Sequence, residues 1–561
     1  MTTMTIAPED SNTPEANTYD AIIVGAGFAG LYLLHTLRAR GMRVLVIEAA
    51  AGVGGTWYWN RYPGARCDVV SVDYSFSFSE EIQQQWIWTE KYAAQPEILR
   101  YLEFVADTLD LRRDIQFGTR VEAMIYDDAT GRWSVTTSTG DSFTTRFCIM
   151  ATGCLSIPKD PDIPGLASFA GPVYFTSRWP HKEIDFAGQT VGLIGTGSSG
   201  IQVTPELAER AERLLVFQRT PSFTVPACNA DFPEGFLETV KATYSDRRAQ
   251  ARRHPAGHLR PLTKRTTFSY DDAERIEAFE GAWQRGALEI FGVFGDLIVD
   301  ETANTEVARL IHQKIDAAVA DPVTAAALKP QKTPFGGRRI CLDTDYYATF
   351  NRDNVTLVDV LSDPIESVTA DGVKTRDGHY RLDALVLATG FDAMTGALLK
   401  IDIRGRKGCL LREKWSHGPV SYLGIAVEGF PNLFTITGPG SPSVLTNVVS
   451  AIEQHVEWLA DLLDHMDRQG LQTVEADADA EQAWVRHVYD LAAPTMMMKA
   501  NSWFLGANVP GKPRVFMPYV GGLDVYRDAA ESIAHEGYRG FHFEPAPKPL
   551  AASSEAAAAT R

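Results

Sequence analysis

Two glycine-rich turns, each delivered by a short apolar run and each opening a helical pattern, constrain this chain more than any other feature. The first is Gly25-Ala26-Gly27-Phe28-Ala29-Gly30. The second is Gly195-Thr196-Gly197-Ser198-Ser199-Gly200, and the two start 170 positions apart (195 against 25). Ala21-Ile22-Ile23-Val24 reads as a buried parallel strand feeding the first turn. Apolar residues then follow helical spacing from Gly30 to Arg40, with Gly41 as the stop. Val44–Ile47 predicts a second strand, ended by Glu48, 23 positions after Gly25. A bare G-x-G-x-x-G is weak evidence. With strand, helix, second strand and acid in place it is the full context of a dinucleotide-binding unit. Gly25, Gly27 and Gly30 let the backbone approach a pyrophosphate whose charge the helix N-terminus receives, and Glu48 can accept hydrogen bonds from ribose hydroxyls. An N-terminal unit ending in glutamate commonly holds the ADP half of FAD.

The second turn repeats the pattern with one change. Gln189–Ile194 predicts the strand, Ile201–Ala211 the helix and Leu214–Phe217 the next strand. The position 23 residues after Gly195 is Gln218, followed by Arg219 and Thr220, so the acid is missing. A carboxylate there would repel a 2′-phosphate, whereas Arg219 can pair with one. The second cofactor is therefore expected to be NADPH. Its candidate contacts are Gly195, Thr196, Gly197, Ser198, Ser199, Gly200, Gln202, Arg219 and Thr220. Two further apolar runs end alike, in Ala151-Thr152-Gly153 and Ala388-Thr389-Gly390. Each follows a nucleotide unit, as expected of strands that return the chain between two such domains.

At 561 residues the chain is too long for one core, and two or three domains are expected. A formal charge of −18 disfavours a nucleic-acid partner, which would need a basic face. The six cysteines form no C-x-x-C pair, which removes zinc ribbons and dithiol redox motifs. No signal peptide and no apolar run long enough to span a membrane are read, so a cytoplasmic protein without a disulfide framework is expected. A monomer is expected. Residues 1–18 and 545–561 read as a disordered arm and tail.

Three segments carry a family resemblance. Phe169-Ala170-Gly171-Pro172-Val173-Tyr174-Phe175-Thr176-Ser177-Arg178-Trp179-Pro180 resembles the linker F-x-G-x-x-x-H-x-x-x-W-P of type I Baeyer–Villiger monooxygenases, with Phe175 at the histidine position. Gly54-Gly55-Thr56-Trp57 through Tyr62-Pro63-Gly64 to Asp68 is similar to the family's second signature. Asn501–Lys512 is similar to its mobile substrate loop. The resemblance runs from about Tyr19 to Phe543 and is greatest to the phenylacetone and cyclohexanone monooxygenase branch.

The resemblance implies an α/β architecture of two Rossmann-like domains. An FAD-binding domain would comprise 19–153 and 391–544, and an NADPH-binding domain 154–225 and 334–390. A helical insertion would occupy 226–333, a charged, helix-patterned stretch that lacks glycine turns. The implied chemistry is NADPH- and O2-dependent conversion of a ketone to an ester or lactone through a C4a-peroxyflavin, with sulfoxidation as a side activity. Arg339 matches the family's active-site arginine, a fixed cation for an anionic peroxide, and Asp68 would orient it. Arg338 stands where the family usually has lysine and is expected on NADPH phosphate. Thr56, Trp57, Tyr62, Asp68 and Trp503 are expected at the cofactors. Ser443, Val444 and Leu445 are expected to line a roomy, mostly apolar ketone pocket. The rival within enzymes is a flavin monooxygenase that oxygenates nitrogen or sulfur. The rival outside them is a catalytically dead FAD/NADPH-binding sensor. A flavin disulfide reductase is excluded by the missing cysteine pair.

Overall fold

The computed structural model describes residues 17–545. Most of the arm and tail therefore lies outside the described residues. Thr18 already opens the first strand and Pro545 closes the last, so both proposed ends are trimmed by ordered backbone.

The first nucleotide unit is β1 (Thr18–Val24), α1 (Phe28–Ala39) and β2 (Val44–Ile47). The helix starts two residues earlier than its periodicity suggests, because Phe28 and Ala29 are buried and continue its inner face. β3 (Ile115–Gln116), β4 (Val121–Asp127), β5 (Arg132–Thr137) and β6 (Ser142–Met150) follow. β7 (Val173–Phe175), β8 (Thr190–Ile194), α2 (Ser198–Arg210) and β9 (Arg213–Gln218) build the second unit. β10 (Val355–Asp359), β11 (Ala384–Leu387), β12 (Asp402–Arg404) and β13 (Leu433–Thr435) complete two sheets.

The larger sheet has the order β12-β4-β5-β6-β1-β2-β3, with β13 also paired to β6. The smaller has the order β10-β9-β8-β11-β7. In both, the strand feeding the glycine turn is parallel to both its neighbours. Such central strands are covered on both faces and read as continuous apolar runs; Ala21, Ile22 and Ile23 are fully buried, as are Val191 and Leu193.

The stretch between the two parts of the second unit leaves from Thr224–Pro226 and returns at Cys341–Asp343, and these two strands pair in parallel. The helices between them straddle both sheets. Tyr244–Arg252 docks on the first unit: Arg247 makes two hydrogen bonds to the buried carboxylate of Asp73, at 2.7 and 2.6 Å, and Arg252 pairs with Glu457 at 2.8 Å. Asp272–Arg285 and Glu301–Ala318 bury Phe279, Val307 and Ile311 in the same core as Val191 and Leu193. The expectation that this stretch lacks glycine turns is corrected: Gly235, Gly257 and Gly286 all have positive φ. Gly235 begins a helix and Gly286 ends one, and an L side chain would be strained at either position.

No helix among the described residues is long and apolar enough to cross a membrane, and no cluster of metal-ligating side chains occurs among them.

Candidate active site between two nucleotide turns

The two turns are shaped to leave no room for side chains. A Cβ on Gly25 would lie 2.6 Å from the Ala151 carbonyl oxygen, and one on Gly195 would lie 2.5 Å from that of Ala388. A Cβ on Gly30 would come within 1.8 Å of the Gly25 oxygen, and one on Gly200 within 2.0 Å of the Gly195 oxygen. The two Ala-Thr-Gly strand ends thus abut the first glycine of each turn. Above Gly197 nothing lies within 4 Å, while Gly27 faces only Gly55 Cα at 3.4 Å. This open space over the amides of a helix start suits a pyrophosphate.

Glu48 is 5% exposed. Its carboxylate accepts from the Ala26 and Ala50 amides at 2.6 and 2.7 Å, which fixes its orientation and leaves further lone pairs on each oxygen. Burial raises its pKa above the ordinary value. At the second turn Arg219 is exposed, and its charge helps depress the pKa of both Arg338 and Lys159, after burial in each case. Arg338 Nε is buried without a hydrogen-bond partner. Three cations, Arg219 at the turn and two within its electrostatic reach, fit an anionic phosphate better than a bare ribose. Lys159 was not legible as part of this group: it lies after the first Ala-Thr-Gly end, and its amide is tied to the second by a bond to the Gly390 carbonyl (3.0 Å).

Segment Gly54–Asp68 bridges the units. Gly54 N–H donates to the Ala26 carbonyl of the first turn (3.0 Å). Tyr62 donates to Gln202 Oε1 on α2 (2.7 Å), and Gln202 Nε2 donates to the Arg66 carbonyl (3.0 Å). A Cβ on Gly64 would collide with the Gln202 carbonyl oxygen at 2.3 Å. Thr56 and Trp57 start the short helix Thr56–Trp59, and Trp57 Nε1 donates to the Tyr74 hydroxyl (3.2 Å). Thr196 Oγ1 donates to the Thr220 carbonyl (3.1 Å), and Ser198 Oγ lies 3.2 Å from Cys341 Sγ. Ser199 bonds the buried Tyr62 phenol, whose pKa burial pushes up to about 12.

The sequence places Asp68 and Arg339 271 residues apart, and the fold joins them. Arg339 donates through Nε and Nη2 to one oxygen of Asp68, at 3.0 and 2.5 Å. Its Nη1 donates to the Val444 carbonyl at 2.6 Å. Asp68 raises the arginine's pKa against the cost of burial, so the guanidinium stays charged. Ser443 is fully buried, has φ +41°, and its hydroxyl lies 3.1 Å from Cys154 Sγ. Val444 packs with Trp503, Met394 and Met517, an apolar wall beside the arginine. Leu445 packs on the larger core. Loop 501–512 is latched down: Asn508 Nδ2 donates to the Phe391 carbonyl (2.7 Å) and Lys512 Nζ to Asp392 (2.6 Å). Phe175 ends β7 paired with Leu387, and the Arg178 guanidinium sits 5.1 Å above its ring. A separate cleft of about 480 Å³ at the outer seam is lined by Arg61, Trp179, Pro180 and His181 but not by Arg339 or Asp68, so it is not where these groups act.

Comparison with known proteins agrees with this layout. Residues 22–232 match the family model described as pyridine nucleotide-disulphide oxidoreductase. A Baeyer–Villiger monooxygenase of Pseudooceanicola batsensis is 40% identical over 541 residues, covering 95% of this chain and 98% of that protein. The structure of an oxidized steroid monooxygenase bound to NADP is 46% identical with a TM-score of 0.90, covering 94% of this chain and 99% of that one. The structure of OTEMO in complex with FAD and NADP is 38% identical with a TM-score of 0.91, covering 94% and 99%. Full-length identity of this order, on a chain whose two turns and bridging segment have the geometry described, means that it belongs to the Baeyer–Villiger monooxygenase family.

Proposed function

We propose that this protein oxidises ketones to esters or lactones, using NADPH and O2 with FAD as its resident cofactor. The observation that carries the reading is Arg339, a charged guanidinium held between Asp68 and the Val444 carbonyl beside an apolar wall. The flavin, when bound, supplies oxygen activation after accepting a hydride from the nicotinamide.

The protein's part is binding, orientation and electrostatics. Gly25, Gly27, Gly30 and Glu48 would hold the ADP half of FAD, and Thr56, Trp57, Tyr62 and Trp503 would border the reacting cofactors. Gly195–Gly200, Gln202 and Thr220 would hold the NADPH pyrophosphate and ribose, with Arg219 and Arg338 on its 2′-phosphate. Arg339 offers a forked donor to oxygen atoms on which negative charge develops. Asp68 takes up two of its N–H groups and so fixes which face of the fork points outward. The wall of Val444, Trp503, Met394 and Met517, with Leu445 after Val444 in sequence, would limit water at the site once the cofactors are bound, which would strengthen that charge stabilisation. We assign the domains as 19–153 with 391–544, 154–225 with 334–390, and an insertion of 226–333.

Purified protein given NADPH, O2 and a panel of ketones tests this. Oxygen uptake that depends on the ketone and a product heavier by one oxygen are expected, with slower sulfoxidation of a thioether. Uptake independent of every ketone, with hydrogen peroxide as the only product, refutes it.

A further inference from the structure

Residues 254–265 form an irregular strap between helices Tyr244–Arg252 and Asp272–Arg285. One end rests on the turn that follows Leu445. The Ala256 carbonyl accepts from Asn447 N (2.7 Å), and a Cβ on Gly257 would lie 3.4 Å from that of Asn447. The other end packs on the segment around Phe291 and Gly292. A Cβ on Gly292 would lie 2.5 Å from the Pro261 carbonyl oxygen, and the Arg260 guanidinium sits 5.9 Å over the Phe291 ring. Phe291 in turn stacks on Phe335 at 5.3 Å, four residues before Arg339. The strap thus runs from the turn after the Ser443–Leu445 wall to the Phe291–Phe335 pair, four residues before Arg339 in the chain.

Two side chains on it have unused hydrogen-bonding capacity. Arg260 Nε is buried without a partner, and the guanidinium makes no hydrogen bond or ion pair among the described residues. Glu289 is the carboxylate whose field reaches it, but Glu289 pairs with Arg285 at 3.4 Å. His258 Nδ1 is likewise buried and unpartnered. Burial, then Arg260, holds that imidazole neutral with its pKa lowered to about 4, against the fields of Asp73 and, more weakly, Asp68. His254, on the same strap, has no such spare capacity: Nε2 lies 3.0 Å from the Arg260 carbonyl and Nδ1 accepts from Ala256 N at 3.0 Å. Buried polar atoms are as a rule paired, so the unpartnered Arg260 Nε and His258 Nδ1, on partly buried side chains two positions apart, mark a place where a ligand supplies the acceptor.

We propose that Arg260 and His258 recognise an acceptor oxygen carried by the ketone substrate away from its carbonyl, and that a carboxylate is the group that fits. A guanidinium fork matches a carboxylate, and a neutral imidazole can add one N–H. The inference rests on the ketone-oxidising reading above and narrows its substrate class to keto acids.

The test is a series of methyl ketones ending in a carboxylate, with three to six intervening methylenes, each paired with a neutral analogue ending in an isopropyl group. At the best length the parent enzyme is expected to favour the keto acid in kcat/KM by about tenfold or more, the scale of a charge-assisted pair. Arg260→Met should collapse that ratio, and Arg260→Lys should keep part of it. A parent enzyme that prefers the neutral analogue at every length overturns the proposal, whether or not Arg260→Met folds. So does an unchanged ratio in Arg260→Met, or a raised KM for NADPH with the ratio intact, which would assign the guanidinium to the dinucleotide. Absence of oxygenated product from every ketone sinks the underlying activity instead, and with it this narrowing.

Discussion

The two glycine turns are near copies in their sterics and opposites in their electrostatics. Each presses its first glycine against the carbonyl of an Ala-Thr-Gly strand end and folds its third glycine over the first. The first is then roofed by Gly54 and Gly55, and its acid is buried and held by two amides. The second is open above Gly197, has no acid, and carries Arg219, whose field reaches two further cations, Arg338 and Lys159. Backbone sterics make a turn that can take a pyrophosphate, and the residue types after the second strand decide which dinucleotide follows.

The strongest way to break this comparison is to add a methyl group to each turn. Gly30→Ala is expected to yield protein without flavin, because the added carbon overlaps the Gly25 carbonyl. Gly200→Ala should remain yellow yet no longer be bleached by NADPH. Full flavin absorbance in Gly30→Ala would refute the first half. Next in size is Arg339→Ala, which sits between the turns and belongs to neither. Stopped-flow absorbance should show flavin reduction persisting, while ester formation drops by about 100-fold or more, as for loss of a preorganised donor. Ester made at the parental rate would remove Arg339 from the chemistry.

Arg219→Ala sharpens the electrostatic half of the contrast. It should weaken NADPH binding by about 1.5–3 kcal/mol, the range for a charged hydrogen bond, and affect NADH far less. Lys159→Ala should act in the same direction and more weakly. Equal losses for both nucleotides would deny the 2′-phosphate role.

Acidification separates the turns in another way. Burial holds the Glu48 pKa above its ordinary value, so its ionised form is lost earlier as pH falls. Flavin release should therefore begin at a higher pH than for an ordinary carboxylate. That step should be absent from the pH profile of Glu48→Gln, and a profile identical to the parent's would rule Glu48 out. The smallest effect expected is that of Phe175→His. The ring carries Arg178, and a hydrogen bond gained there is worth about 0.5–1.5 kcal/mol, enough to shift NADPH coupling or affinity by about two- to tenfold. A variant that switches on an activity the parent lacks would overturn that view.

Much of the fold was legible because local rules and global packing agree in its nucleotide units. Val44–Ile47 is a strand over the span its apolar run suggests, since a central parallel strand is buried on both faces. The helices begin at Phe28 and Ser198, ahead of the point at which periodicity sets in, because residues within a glycine turn carry little periodicity. Long-range pairing was a different matter. Asp68 and Arg339 were brought together by family resemblance, and the geometry agrees. The Val444 carbonyl was invisible, because a main-chain acceptor leaves no mark in residue type. Lys159, Arg260 and His258 were missed for a related reason: each lies on irregular backbone, where neither spacing nor pattern says what it will face.

The hydrogen bond from Arg339 to residue 444 ends on backbone, not on a side chain. Selection can therefore exchange the side chain at 444, enlarging or shrinking the wall, without loosening the cation's tether. Substitutions that redirect the main chain, such as proline at 444 or a deletion beside the left-handed Ser443, would move tether and wall together. If this turn lines the ketone site as proposed, diversification of substrate range is easy there in one direction, by swapping side chains, and ruinous in the other, by bending the path. A lineage built this way should explore new ketones by altering bulk at 444 and 445 while conserving the course of the chain through them.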